Sequence, residues 1–201
     1  HTGGHTAFSV DITRFIDNGV IKDGKFTLYV KATDDTDEGR QPVGKQRRYP
    51  DGRGSIWYTS SSGIWQSVWM EPVDKAHLED LRITPDVDNS TLKFDMAYTG
   101  TPTGKVTVTL KDGDNVIESK SVDAAANTSV TFDLATPRLW HPNDPYLYNV
   151  TVTLANGDEV ADEVNSYAAM RKISYAKNEE GYWRMQLNNK DLFQFGPLDQ
   201  G

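Results

Sequence analysis

Thr91-Leu92-Lys93-Phe94-Asp95-Met96-Ala97-Tyr98 alternates apolar and polar side chains almost one for one. A period of two puts the apolar set on one face of an extended chain, which marks a strand with one buried face. The same alternation recurs over 77–84, 105–111, 115–122, 128–134, 146–154 and 159–167. Turn chemistry separates the runs at Asp88-Asn89, Thr101-Pro102, Asp112-Gly113-Asp114, Asn127, Pro142-Asn143-Asp144-Pro145 and Asn156-Gly157. Seven such runs, with turns about every 8–12 residues, predict an immunoglobulin-like β-sandwich over 74–172. Asn156-Gly157 predicts a type I′ hairpin, because both residues tolerate positive φ.

Working outward, helical periodicity is nearly absent. Upstream, Phe8, Val10 and Ile12 alternate with polar residues, as do Phe26, Leu28, Val30 and Ala32, and 64–73 carries Trp65, Val68 and Trp69. These runs predict strands. The polar stretch 33–63 between them is long enough to be read as a functional or mobile loop. Three or four strands over 1–73 are too few to close a sandwich, so half of this first domain is expected to lie upstream. The chain opens at His1 with no initiator Met, basic segment or apolar segment, and is read as a piece of a longer protein. Downstream, strands are predicted at 173–175, 183–187 and 192–195, with turns at 178–181 and 188–190.

Composition removes several functions. A net charge of −8 opposes nucleic-acid binding, and zero cysteines exclude disulfides and thiolate metal sites. Absence of cysteine fits any compartment. No apolar run approaches the roughly 18 residues that span a bilayer. Sequons at Asn89, Asn127 and Asn149 matter only in a glycosylating secretory pathway.

Chemistry-bearing candidates are sparse. His1, His5, His77 and His141 share no helical face and have no cysteine partner, so no metal or other cofactor is expected. Asp112-Gly113-Asp114-Asn115 resembles part of a calcium loop, but it lacks the closing Glu and reads as a hairpin turn. Ser60, Ser61 and Ser62 lack a nucleophile-elbow context. The acidic run Asp34-Asp35-Thr36-Asp37-Glu38 precedes Arg40, Lys45, Arg47 and Arg48. It is either a solvated loop held by opposite charges or a polar rim that hydrogen-bonds sugar hydroxyls. Trp57, Tyr58, Trp65 and Trp69 are either packing residues, the favoured reading, or a stacking platform for sugar rings.

Several of these stretches together resemble glycoside hydrolase family 2, the β-galactosidase, β-glucuronidase and β-mannosidase group. Tyr58-Thr59-Ser60-Ser61-Ser62-Gly63-Ile64-Trp65-Gln66-Ser67-Val68-Trp69-Met70-Glu71 is similar to the stretch that closes that family's N-terminal jelly roll. Leu139-Trp140-His141-Pro142-Asn143-Asp144-Pro145-Tyr146-Leu147-Tyr148 resembles a passage late in its immunoglobulin-like domain. Met170-Arg171-Lys172-Ile173, followed by Leu187-Asn188-Asn189-Lys190-Asp191-Leu192-Phe193-Gln194-Phe195-Gly196, is like the passage into its catalytic barrel. Arg40-Gln41-Pro42-Val43-Gly44-Lys45-Gln46 looks like a loop of large bacterial members. Two departures stand out: Asn189 occupies a usual glycine position, and Pro197-Leu198-Asp199-Gln200 replaces the usual residues after Gly196.

The resemblance implies an all-β chain with three parts: the C-terminal part of a jelly roll over 1–73, the immunoglobulin-like sandwich over 74–172, and a linker hairpin plus first barrel strand over 173–201. It implies a parent that hydrolyses β-glycosides with retention, using two barrel glutamates that lie beyond Gly201. The chain alone is then expected to be inactive. Its partners would be a carbohydrate and its own catalytic barrel, with a homo-oligomer left open. Arg40, Lys45 and Gln46 are expected on the substrate rim, and Asp199 and Gln200 toward the catalytic mouth. Trp140 is expected to cap the sandwich core, and Arg171 to grip backbone carbonyls at the domain exit. The competing readings are an autonomous carbohydrate-binding module and an adhesion module of tandem sandwiches.

Overall fold

The computed structural model describes residues 1–20, 24–38, 40, 44–47 and 54–197 and divides into two units, His1–Trp69 and Met70–Leu198.

In the first unit the described residues form one short helix, α1 (Thr13–Asp17), and two short strands, β1 (Gln46–Arg47) and β2 (Tyr58–Thr59). The strands pair in parallel, Gln46 opposite Tyr58 and Arg47 opposite Thr59. The Asp11 carboxylate accepts the Thr13 N–H at 2.8 Å just ahead of α1, satisfying one of the donors a helix start leaves free. The strands predicted over 6–12, 26–32 and 64–73 do not join any ladder. Every described residue of this unit is exposed or half-buried, including Val10 at 68% and Trp69 at 73% exposure. An alternating segment becomes a strand when its apolar face is buried against a second layer. Without one, little offsets the entropy of fixing the backbone.

The second unit follows the sequence closely. β3 (His77–Asp86), β4 (Thr91–Thr99), β5 (Lys105–Asp112), β6 (Asn115–Asp123), β7 (Asn127–Asp133), β8 (Tyr148–Asn156) and β9 (Glu159–Ala168) match the seven alternating runs. They form two antiparallel sheets, ordered β3-β4-β7 and β6-β5-β8-β9. The inward phase of four strands supplies most of the core: Leu92, Phe94 and Met96 from β4, Val106, Val108 and Leu110 from β5, Val130 and Phe132 from the edge strand β7, and Tyr148, Val150 and Val152 from β8. Phe94 and Phe132 meet edge to face, with centroids 5.5 Å apart at 84°, an arrangement that suits the ring quadrupoles. The all-β class holds, with a β-sandwich as its ordered centre.

Turns set the register. Gly113 (φ +59) lets Asp112 pair with Asn115 across a two-residue turn, so the calcium-like run is a hairpin. At the β8–β9 hairpin Asn156 is the last paired residue, opposite Glu159, and only Gly157 (φ +63) has positive φ. The predicted type I′ turn on Asn156-Gly157 is corrected: a bulge after Leu154 moves the turn onto Gly157-Asp158. Gly104 is required by crowding, since a Cβ there would stand 2.2 Å from the Ala155 carbonyl oxygen. Edge strands of the two sheets are linked at both margins: the Leu78 N–H donates to Asp162 Oδ2 at 2.8 Å, beside a bulge between Leu78 and Asp80, and Lys120 Nζ donates to the Thr131 carbonyl at 2.7 Å.

Beyond the sandwich, β10 (Ile173–Lys177), β11 (Trp183–Leu187) and β12 (Lys190–Asp191) form a three-stranded antiparallel hairpin sheet. The strand predicted over 192–195 is not formed. Only the Leu192 N–H, donating to the Met185 carbonyl at 3.2 Å, prolongs the pairing, and Phe193 and Phe195 are 86% and 96% exposed.

Candidate functional site

Two clusters collect the residues that the sequence singled out. The first lies on the loop of the first unit. Lys45 and Gln46 are half-buried where β1 meets β2: the Lys45 carbonyl accepts the Tyr58 N–H at 2.8 Å, and Gln46 Oε1 accepts the Ser61 N–H at 3.1 Å. Asp34 accepts the Ser62 hydroxyl at 2.9 Å. The acidic run and the serine turn are therefore tied together, and these serine contacts are structural in character. Arg40 is exposed. The Arg47 guanidinium stacks 4.2 Å from the Trp57 ring centroid, a pairing of cation and ring face. Asp199 and Gln200 lie outside the described residues. Of the expected rim residues that the structure describes, Lys45 and Gln46 stand side by side at the start of β1 and Arg40 is exposed.

The second cluster sits where the sandwich ends. Its base is the Leu139–Tyr148 stretch. Leu139 pairs with Met170 in a parallel bridge, and the Trp140 N–H donates to the Met170 carbonyl at 2.9 Å. His141 and Asp144 exchange backbone hydrogen bonds of 3.0 and 2.8 Å, closing the proline-bounded turn. Arg138 grips Asp144 in a bidentate pair, Nε to Oδ2 at 3.1 Å and a terminal nitrogen to Oδ1 at 2.7 Å, and its guanidinium lies 4.1 Å from the Tyr146 ring centroid. The Tyr148 hydroxyl accepts the Arg138 N–H at 2.7 Å. Leu139 and Tyr146 pack against the core. The cap expected of Trp140 is therefore shared out: Trp140 is only half-buried, and Arg171 lies 4.9 Å over its ring. Among the described residues the Arg171 guanidinium makes no hydrogen bond to a carbonyl, so the expected bidentate grip is replaced by stacking.

Electrostatically this cluster is fixed across neutral pH. The Arg138 hydrogen bonds hold the Asp144 carboxyl below its ordinary range, and Lys172 and then Asn189 do the same for Asp88. Burial, followed by the hydrogen bond to Asp112, pushes the Tyr146 phenol up to about 12. The carboxylates stay ionised and the phenol protonated, so none of the three is poised to exchange a proton near pH 7. The histidines are dispersed among local partners: His1 stacks on Phe8, His5 meets Trp65 edge-on, His77 Nδ1 bonds the Asp74 carbonyl, and His141 Nδ1 accepts from the Asn143 N–H. Among the described residues no group of three His, Cys, Asp or Glu is placed to hold a metal. The arrangement orients segments by hydrogen bonds, ion pairs and stacked rings. Sequence motifs marked these segments but carried no sign of their mutual contacts, which depend on the folded turn.

Residues 76–171, which hold the sandwich and the Leu139–Tyr148 turn, match the family described as glycosyl hydrolases family 2. Over this segment the chain is similar to that family. The chain is 25% identical over 195 residues to a β-galactosidase of Thermoanaerobacter pseudethanolicus, covering 90% of this chain and 24% of that protein. It is 23% identical over 192 residues to the β-glucuronidase of Rattus norvegicus, covering 89% of this chain and 29% of that one. Against the apo structure of Bacteroides uniformis β-glucuronidase 3 the identity is 20% and the TM-score 0.48, with 59% of this chain and 15% of that chain covered. The chain thus spans about a quarter of the length of these curated relatives.

Proposed function

We propose that this chain is the noncatalytic β-sandwich portion of a retaining exo-β-glycosidase of the β-galactosidase type, bracing a catalytic barrel and lending its long loop to the substrate rim. The carrying observation is the junction at the sandwich end. There the Leu139–Tyr148 turn, the Met170–Lys172 exit and the Asn188-Asn189 turn, each a stretch of family likeness, are hydrogen-bonded into one assembly. Such a junction suits a scaffold that sets the direction in which the chain leaves. On this reading Arg40, Lys45, Gln46, Asp199 and Gln200 contribute to the sugar-facing rim. The test is hydrolysis of nitrophenyl β-galactoside. The purified 201-residue chain is expected to give no turnover, and the complete protein to give turnover with retention. Turnover by the chain alone would overturn the proposal.

One observation favours a second reading, an autonomous carbohydrate-binding module. Trp65 and Trp69 are 66% and 73% exposed, as a stacking platform for a pyranose requires. Saturable NMR shifts at both indoles on titration with lactose would support it, and a flat titration would remove it.

A further inference from the structure

The chain leaves the sandwich through Met170, which is fully buried, and reaches β10 after only Arg171 and Lys172. A two-residue connection of this kind is a swivel unless other contacts fix it, since each residue keeps two soft backbone dihedrals. Here the far side of the hairpin returns to the sandwich through Asn188 and Asn189, which link β11 to β12 in left-handed conformation (φ +52 and +64). Asn188 makes three bonds. Its N–H donates to the Lys172 carbonyl at 2.8 Å, its Oδ1 accepts the Lys172 N–H at 2.9 Å, and its Nδ2 donates to the Trp140 carbonyl at 3.0 Å. Asn189 Nδ2 donates to Asp88 Oδ1 at 2.7 Å, while Asp88 Oδ2 takes Lys172 Nζ at 2.5 Å. Asp88 belongs to the β3–β4 turn and Trp140 to the segment between β7 and β8, so the hairpin is held at two separate points of the sandwich.

We propose that Asn188 and Asn189 form a two-point clasp that locks the β10–β12 hairpin onto the sandwich, so that the two move as one body and the hairpin face bearing Ile173, Tyr175, Trp183 and Met185 is aimed in one direction. Across the strands Ile173 pairs with Leu187, Tyr175 with Met185 and Lys177 with Trp183, and directly opposed residues two apart along each strand lie on one face, so these four share it. Tyr175 and Trp183 stack with centroids 4.8 Å apart. The clasp also accounts for asparagine at a position where the family resemblance expects glycine. Glycine would adopt the same left-handed turn, but it has no amide to reach Asp88. Asn189 is thus a positioning residue that adds the second point of attachment. The inference concerns only contacts within the second unit and does not depend on what the parent protein hydrolyses.

The test is hydrogen–deuterium exchange of the full chain. Asn188→Gly and Asn189→Gly keep the left-handed backbone unstrained and remove only the amides. Asn189→Gly is expected to raise exchange in β10–β12 several-fold, and the double variant about tenfold or more, while protection in β4, β5 and β8 stays as in the parent chain. Asp88→Ala should raise hairpin exchange at least as much as Asn189→Gly, because it removes the acceptor that Asn189 and Lys172 share. Unchanged hairpin exchange in the double variant would overturn the clasp. So would an equal rise in the sandwich strands, since that would make the asparagines ordinary contributors to global stability. If the double variant does not fold, Asn189→Gly and Asp88→Ala carry the same comparison singly.

Discussion

The two units are written in the same two-residue alphabet, and only one of them builds a core. Leu92, Phe94, Val106, Val108 and Phe132 alternate with polar neighbours and end fully buried. Phe8, Val10, Leu28 and Val30 alternate in the same manner and remain more than half exposed. The difference teaches that alternation specifies a face and not a partner for that face. In the second unit every inward face meets another sheet, so burial of apolar area on the order of 25 cal/mol per Å² offsets the ordering of the backbone. In the first unit the described residues offer no second layer.

That contrast can be broken most directly at its extremes. Phe132→Ala should cost about 3–5 kcal/mol, as expected for removal of a buried aromatic, whereas Trp69→Ala should stay within about 0.5 kcal/mol. Urea unfolding measures both, and equal losses would mean that the first unit holds an ordered core after all. A smaller effect is expected from glycine. Gly104→Ala combines φ +80 with a 2.2 Å approach to the Ala155 oxygen and should cost at least about 1–3 kcal/mol. Gly63→Ala, at φ +116 but in open space, should cost less, because its unpaired segment is free to relax. Thermal melts of the two variants test the order. The smallest effect is on pH dependence. The Tyr146 phenol, raised to about 12 chiefly by burial, binds its proton more tightly folded than unfolded. Its contribution is therefore complete below pH 10 and fades as pH rises toward 12. Asp112→Asn should lower the phenol's midpoint in an ultraviolet titration, and an unmoved midpoint would show that the carboxylate contact has no influence.

Legibility in the sequence follows the range of the cause. The strands from His77 to Ala168 were readable because face alternation and turn residues are both local signals, and the sheets agreed with them. The hairpin at Gly157 was displaced by one residue because a bulge depends on the partner strand. Leu192–Phe195 has the pattern of a strand, yet a ladder needs a neighbour, and β11 supplies one only to Leu192. The site was less legible still. The Leu139–Tyr148 turn announced itself through its prolines and tryptophan, but the contacts of Arg171 with Trp140 and of Asn189 with Asp88 join residues far apart in the chain. The expectation for Arg40, Lys45 and Gln46 rests on residue type and on likeness to a family loop, and neither says which polar groups a fold will satisfy internally.

The hydrogen bond from Leu78 to Asp162 bears on solubility. Leu78 sits on β3 and Asp162 on β9, each the outermost strand of its sheet. An outermost strand is where another chain would add itself by backbone pairing. A carboxylate brought over from the opposite sheet occupies one of those donors, and the bulge at the same place bends the strand out of line. A neighbouring molecule that tried to extend the sheet there would have to displace a charged group and accept a broken register, so this margin of the sandwich is defended against fibre-like stacking by a contact between two edge strands, one of whose residues, Leu78, also packs against the core.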